Sequence, residues 1–350
     1  MATAALAANH VEPMRYPPVS APAPRGDPAS GGVPFFIVGS GRSGTTLLRL
    51  ILSGHSRIEI PPETWFILPL VRRFPLREPL KPEQVRAVAE VMTHNYRWPD
   101  MGIAADAFRA QAMSLAKPCL VDLIDIVYRH HLAAAGKPRI GDKTPPYIEI
   151  IPQLSALYPD AKFIHLLRDG RDVAISYIDL KWQFPGCRCY ERNFEWTRAL
   201  RFREAYRNSK IDWKILDVTY EDLVREPEAV IRRICAFLGE EFEPRMLAWA
   251  ERVDKVPERE RVIHPRLAHP LSEAAVARWR TKLSGFECFI MEACLRRDLR
   301  RWGYRLRFSS RAWRPALVLT GWLLDCTGPL LVKAIPYLKR RNLMPGNLYI

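Results

Sequence analysis

The stretch FFIVGSGRSGTTLLRLIL, Phe35–Leu52, decides the fold. Apolar residues run from Pro34 to Val38 and stop at glycine, the pattern of a parallel strand buried on both faces. From Gly44 to Ser53 the apolar residues return at helical spacing. Strand, glycine-rich turn and helix in that order build a loop whose backbone N–H groups and helix N-terminus cradle an oxyanion. Gly39 and Gly44 have the spacing of the nucleotide-binding pattern G-x-x-x-x-G-K-[ST], and Thr46 fills its last place. The lysine place holds Thr45, while a cation, Arg42, stands three residues upstream. Gly41, Arg42, Ser43, Gly44, Thr45 and Thr46 are therefore the candidate anion-binding residues.

Two further strands repeat the arrangement. Lys162–Leu167 runs into the charged turn RDGRD and a helix from about Asp172, and Lys214–Val218 runs into another helix. Helices are also expected over 81–94, 105–132 and from Pro145 or Pro146 to Tyr158, since proline suits a first helical turn. Strands alternating with helices define an α/β fold: three layers, P-loop-like, with a central, mainly parallel sheet flanked by helices. Ligands of such sheets bind beyond the carboxyl ends of the strands. Gly39–Thr46 and Arg168–Arg171 both sit at such ends.

At 350 residues the chain accommodates one large domain, about 33–305, with tails on either side. The Ala/Pro-rich stretch 1–32 has neither a basic start nor a long apolar core, so it reads as a disordered tail and not as a signal or anchor. A formal charge of +15 calls for an anionic partner. No nucleic-acid recognition module is visible, so no specific nucleic acid is expected. Seven cysteines, an odd number in mostly apolar or helical contexts, suit reduced thiols and a cytoplasmic protein. Cys187 and Cys189 have no second pair at zinc-site spacing and read as loop residues.

The extension 306–350 differs in character. Arg296–Arg314 holds eight arginines and one aspartate, followed by an apolar run broken by Asp325, Pro329 and Lys333. That run is a poor membrane span. It suits either a peripheral anchor lying in an anionic interface or packing on the domain itself or on a second subunit, as in a homodimer; both readings stay open.

The two motifs FIVGSGRSGTTLL and HLLRDGRDVAISY resemble the sulfotransferases that use 3′-phosphoadenosine-5′-phosphosulfate (PAPS), over roughly Pro34 to Trp279. The closest match in motif pattern is to the tyrosylprotein sulfotransferases and related bacterial-type enzymes. In that family the first motif binds the 5′-phosphosulfate and the second the 3′-phosphate. The resemblance thus implies PAPS as cosubstrate, a hydroxyl acceptor and no metal. Read from the residues alone, Arg168 closes a strand and can grip a phosphate with its planar fork, and Ser176 lies two turns into the next helix.

Transfer of a sulfuryl group to a hydroxyl needs a base for the hydroxyl proton and a cation for the leaving oxygen. His55, Glu59 and Glu63 are the candidate bases in HSRIEIPPETWF. The tyrosyl enzymes carry glutamate-threonine 21 residues beyond the loop arginine, which Glu63-Thr64 matches. The resemblance therefore gives Glu63 the base role, a task that needs a pKa near the working pH, and keeps His55 as the fallback. GDKTPPYI resembles their N-K-D-P segment and places Lys143 beside Arg42 as the second cation; Tyr220 matches a nucleotide-contacting tyrosine. Their lysine-proline pair, ten residues before a tryptophan, becomes His269-Pro270 here. The loop Val262–Pro270 is still expected to cover the donor, with Arg261 or Arg266 compensating. A P-loop kinase or NTPase, or a non-catalytic nucleotide- or polyanion-binding protein, are the alternatives. Against the kinase stand the missing loop lysine and the lack of a persuasive Mg²⁺-binding aspartate.

Overall fold

The computed structural model describes residues 32–180, 190–269 and 271–323. The N-terminal tail, Cys187, Cys189, Pro270 and the apolar run beyond 323 lie outside them. Five strands form one sheet: β1 (Gly32–Gly39), β2 (Ile58–Glu59), β3 (Arg139–Lys143), β4 (Lys162–Leu167) and β5 (Ile215–Thr219). Their order is β2-β3-β1-β4-β5, and every pairing is parallel. The chain leaves β1 toward one edge of the sheet and later returns to build the other. The switch point of the topology therefore lies at β1, and its carboxyl end opens the crevice where such sheets take ligands.

β1 is buried on both faces, as its apolar run requires. Phe36 and Val38 point into a core closed by helices Pro82–Thr93, Ala105–Ser114, Leu120–Ala135 and Ile151–Leu157. Phe35 and Ile37 point into a second core with α1 (Thr45–Leu52) and helix Pro227–Leu238. All four side chains are fully buried, and each such burial is worth about 1.5–3 kcal/mol. A third cluster, at the end of β4, joins helices Gly170–Asp179, Tyr190–Tyr206 and Gly285–Arg301. The result is the three-layer α/β architecture expected.

Four details differ from the expectation. The helix expected from Pro145 or Pro146 to Tyr158 opens as a 3₁₀ segment, Pro145–Ile150, and is α-helical only over Ile151–Leu157. The helix expected over 105–132 is two helices, Ala105–Ser114 and Leu120–Ala135. Pro118 cannot continue a helix, and Lys117 turns at φ 50°. The third strand starts at Ile215, because Asp212–Lys214 form a 3₁₀ turn. β3 was not anticipated at all: RIGDK is a poor β sequence, and burial holds it in place rather than propensity.

Residues 306–313 stay on the domain body. The buried Glu292 carboxylate accepts the N–H groups of Arg307 and Phe308, and the Phe308 ring packs edge-on against Phe289 and Trp313. Helical residues 314–323 then expose Val318, Leu319 and Trp322. Among the described residues no helix is long and apolar enough to cross a membrane.

Candidate active site

The phosphate loop leaves β1 at Gly39 and enters α1 at Thr45. Gly44 stands before the helix at φ 95°, a left-handed conformation that suits glycine. A Cβ there would lie 2.5 Å from the Tyr220 ring, which closes the loop from the end of β5. A Cβ on Gly41 would meet the Tyr177 hydroxyl at 2.5 Å. Ser43 is buried, with its hydroxyl 2.8 Å from that of Ser40. Thr45 and Thr46 are buried in the first turn of α1.

Arg42 is left-handed at φ 63°, a strained position for a residue with a side chain. Its guanidinium over-determines that position. Nε donates to Ser176 Oγ at 3.0 Å, Nη2 donates to the Ile263 carbonyl at 2.7 Å, and Nη1 lies 3.3 Å from the His264 ring. Arg168, 6% exposed, stacks over Tyr220 at 4.3 Å and donates to the carbonyls of Arg42 and Ala275. Its Nε is buried without a partner. In the same motif Arg171 turns inward to Asp169 and Glu292 and is a structural residue. Arg42, Gly44, Arg168, Ser176, Tyr220 and His264 line one cavity of about 390 Å³.

Glu63 and Lys143 meet because their neighbours do. Asp142, fully buried, accepts from the hydroxyls of Thr64 and Tyr128 at 2.7 Å and from that of Thr144 at 2.9 Å. Thr64 N–H also donates to the Thr144 hydroxyl. This network ties the loop after β2 to the end of β3, and places Glu63, one residue before Thr64, against Lys143, one residue after Asp142. Lys143 Nζ donates to Glu63 Oε1 and, at 3.2 Å, to Thr46 Oγ1. The base candidate, the second cation and the phosphate loop thus share one hydrogen-bonded chain at the carboxyl ends of β1 and β3.

The electrostatics of this chain differ from the expectation. Burial pushes the Glu63 carboxyl up, but Lys143, a hydrogen bond from Trp65 Nε1 at 2.6 Å and Arg97 outweigh it and hold the carboxyl below the usual carboxylate range rather than near neutral. Burial lowers Lys143 to about 8 against the attraction of Glu63. His55 is not at the site. Its ring bonds the Glu241 carbonyl at 2.8 Å and accepts from Arg57 N–H, so it packs the far end of α1 and the fallback role falls away. Glu59 pairs with Lys137 on the sheet edge.

The loop over the cavity contributes Ile263, His264, Leu267 and His269. Arg261 turns out to Asp254, so it does not compensate for the absent lysine; the Arg266 side chain lies outside those described. Sequence reasoning missed His264, Arg97, Glu260 and Trp65. Burial and the neighbouring Arg42 and Lys143 push the His264 ring down to about 3, which keeps it neutral. Arg97 and Glu260 lie 163 positions apart, and no local pattern marks either one.

A parallel sheet with a lysine-free anion loop at its switch point, ringed by arginine and lysine, defines a P-loop-like binder or transferase of anionic groups. The chain matches the sulfotransferase family over residues 34–244, and it belongs to that family. It is 29% identical over 244 residues to nodulation protein NoeE of Sinorhizobium fredii, covering 61% of this chain and 51% of that one. It is 28% identical over 227 residues to the protein-tyrosine sulfotransferase of Drosophila melanogaster, covering 63% and 40%. The chain thus spans about half the length of the curated relatives it matches. Among solved structures, the sulfotransferase domain of the Synechococcus PCC 7002 olefin synthase shares the fold, with a TM-score of 0.56, 24% identity and coverage of 73% of this chain and 90% of that one.

Proposed function

We propose that the protein transfers the sulfuryl group of PAPS to an acceptor hydroxyl, with Glu63 as general base. The observation that carries this reading is the chain Glu63–Lys143–Thr46, which joins a carboxylate to the anion loop through one buried cation. The residues suit the donor. The unpaired Nε of Arg168 and the loop N–H groups fit anions, and Gly44 keeps the loop open beneath Tyr220. Gly41–Thr46 would hold the 5′ end, Arg168 and Ser176 the 3′-phosphate, and Tyr220 the nucleotide face. The donor supplies an activated sulfuryl group; the remaining work falls to the protein. Arg42 and Lys143 face developing negative charge. As Lys143 turns from Glu63 to the leaving oxygen, the carboxylate loses the partner that depresses it and regains basicity toward the acceptor hydroxyl. Trp65, which donates to Glu63, and Tyr96, with ring centroids 6.4 Å apart, would face the acceptor beside the base.

A thermal shift tests the donor. Adenosine 3′,5′-bisphosphate at about 100 times its Kd should stabilise the fold by about 2.7 kcal/mol. A larger shift with ATP–Mg²⁺ than with the bisphosphate would overturn the reading in favour of a kinase or NTPase.

We also propose peripheral contact with an anionic bilayer through residues 310–323, which carry exposed Val318, Leu319 and Trp322 beside Arg311 and Arg314. Replacing Leu319 and Trp322 with aspartate should weaken retention on phosphatidylserine-containing vesicles by about tenfold or more, since each buried apolar side chain is worth more than a kilocalorie. Unchanged retention would remove the contact.

A further inference from the structure

Beneath the phosphate loop two carboxylates and two cations close a square. Glu63 Oε1 accepts from Lys143 Nζ, and Glu63 Oε2 lies 3.7 Å from Arg97 Nη2. Glu260 Oε1 accepts from the same Arg97 Nη2, and Glu260 Oε2 lies 3.7 Å from Lys143 Nζ. Arg97 and Glu260 are each 4% exposed and Lys143 not at all, so these charges interact with little solvent screening. Glu260 belongs to the short helix Glu258–Ile263, which also supplies the carbonyl bonded to Arg42 and leads into His264. One surface segment therefore reaches both halves of the catalytic cluster.

We propose that Glu260 is a positioning residue for the base: it shares the Arg97 guanidinium that lies 3.7 Å from Glu63, and so keeps the Glu63 carboxylate basic once Lys143 turns to the leaving group. The inference rests on the reading of Glu63 as the general base. One guanidinium serves two carboxylates here, and what Glu260 takes Glu63 does not receive. A carboxylate beside an arginine is depressed by about 1–3 pH units, whereas a neighbouring like charge raises it. Glu260 acts in the same direction on both counts. The other groups facing the square are Arg42 from the loop, Thr46 and Arg49 from α1, Trp65 on Glu63 Oε2, Tyr96 beside Arg97, Asp100 with its partner Arg259, Asp142 from β3, and His264. Asp100 lies 3.4 Å from Arg97 Nε, a counter-charge for the guanidinium that does not depend on Glu260.

The experiment compares Glu260→Gln, Arg97→Gln/Glu260→Gln and Glu63→Gln in the full chain. Glu260→Gln should lower kcat by about 3–30-fold and move the acidic limb of the kcat–pH profile downward by about one unit, the effect of a base made weaker by an unshared arginine. Its affinity for adenosine 3′,5′-bisphosphate should hold or improve. The double variant should turn over faster than Glu260→Gln alone, because it removes the arginine that Glu260 restrains; a merely structural carboxylate would give a double variant no faster than Glu260→Gln. A wild-type acidic limb in Glu260→Gln, or no rescue in the double variant, overturns the inference while a slow Glu63→Gln keeps the base reading intact. Near-normal turnover in Glu63→Gln overturns both. Glu260→Asp keeps the charge, and its acidic limb should stay at the wild-type position; this variant serves if the glutamine fails to fold.

Discussion

Glu63→Gln should turn over about 10²–10⁴-fold more slowly than the wild type, the usual contribution of a general base. Its affinity for adenosine 3′,5′-bisphosphate should stay within about threefold, because the groups assigned to the nucleotide lie on other elements and the change removes a negative charge rather than a contact to the donor. Glutamine keeps the shape, and its single amide oxygen can still accept from Lys143 Nζ or from Trp65 Nε1, while the network of Asp142, Thr64 and Thr144 that ties the two segments together does not involve the changed carboxylate and is left in place. What disappears is the charge and the ability to take a proton. The loss should therefore fall on kcat rather than on KM for the donor, as it does when an interaction made only in the transition state is removed. Turnover within about threefold of the wild type, with folding verified, would take the base role from Glu63.

The fold was legible where sequence and burial agree. Phe35–Val38 alternates between two cores, and the loop glycines mark its end, so strand, turn and helix could all be placed from local pattern. Lys162–Leu167 was legible for the same reason. β3 was not: Arg139, Gly141, Asp142 and Lys143 carry no strand signal, because their polar groups are satisfied by partners distant in sequence, Thr64 and Tyr128 for Asp142 and Glu63 for Lys143. Lys143 was nevertheless anticipated as a site residue, through resemblance of its segment and not through its secondary structure. The same distinction separates Glu63 from Glu260. Glu63 has a fixed offset from Arg42, whereas Glu260 enters a site built some two hundred residues earlier, from a charge-rich segment whose other charges lie elsewhere: Glu258 is exposed, Arg259 pairs with Asp100 and Arg261 with Asp254. His264 was hidden in a similar way, since the offset pointed to His269-Pro270 as the donor contact. The basicity of Glu63 was misjudged because a pair potential between two buried groups is a property of the assembled site. Sequence offset shows that a glutamate is present, not how tightly a lysine holds it.

Lys143 carries the second large expectation, and its test is a pH profile. Buried between Glu63, Thr46 and the more distant Glu260, it is fully enclosed and has its pKa lowered to about 8. A cation whose charge is required works below its pKa and is lost above it, so kcat/KM for the donor should be level at neutral pH and fall as the pH rises through about 8, by up to tenfold per unit. That profile reports the free enzyme. With the donor's anions bound beside it, Lys143 is raised, and the alkaline limb of kcat should lie at higher pH than that of kcat/KM. Lys143→Arg keeps the charge at every accessible pH and should abolish the alkaline fall, at some loss of rate because a planar fork replaces a compact ammonium in a filled site. Lys143→Ala removes the donor to the leaving oxygen and should lower kcat by about 10²–10³-fold, the cost of one preorganised electrostatic contact at a developing charge. The pH profile and the two variants constrain one another: if the fall near pH 8 persists unchanged in Lys143→Arg, another group titrates there, and Lys143 is not the cation on which the transfer depends.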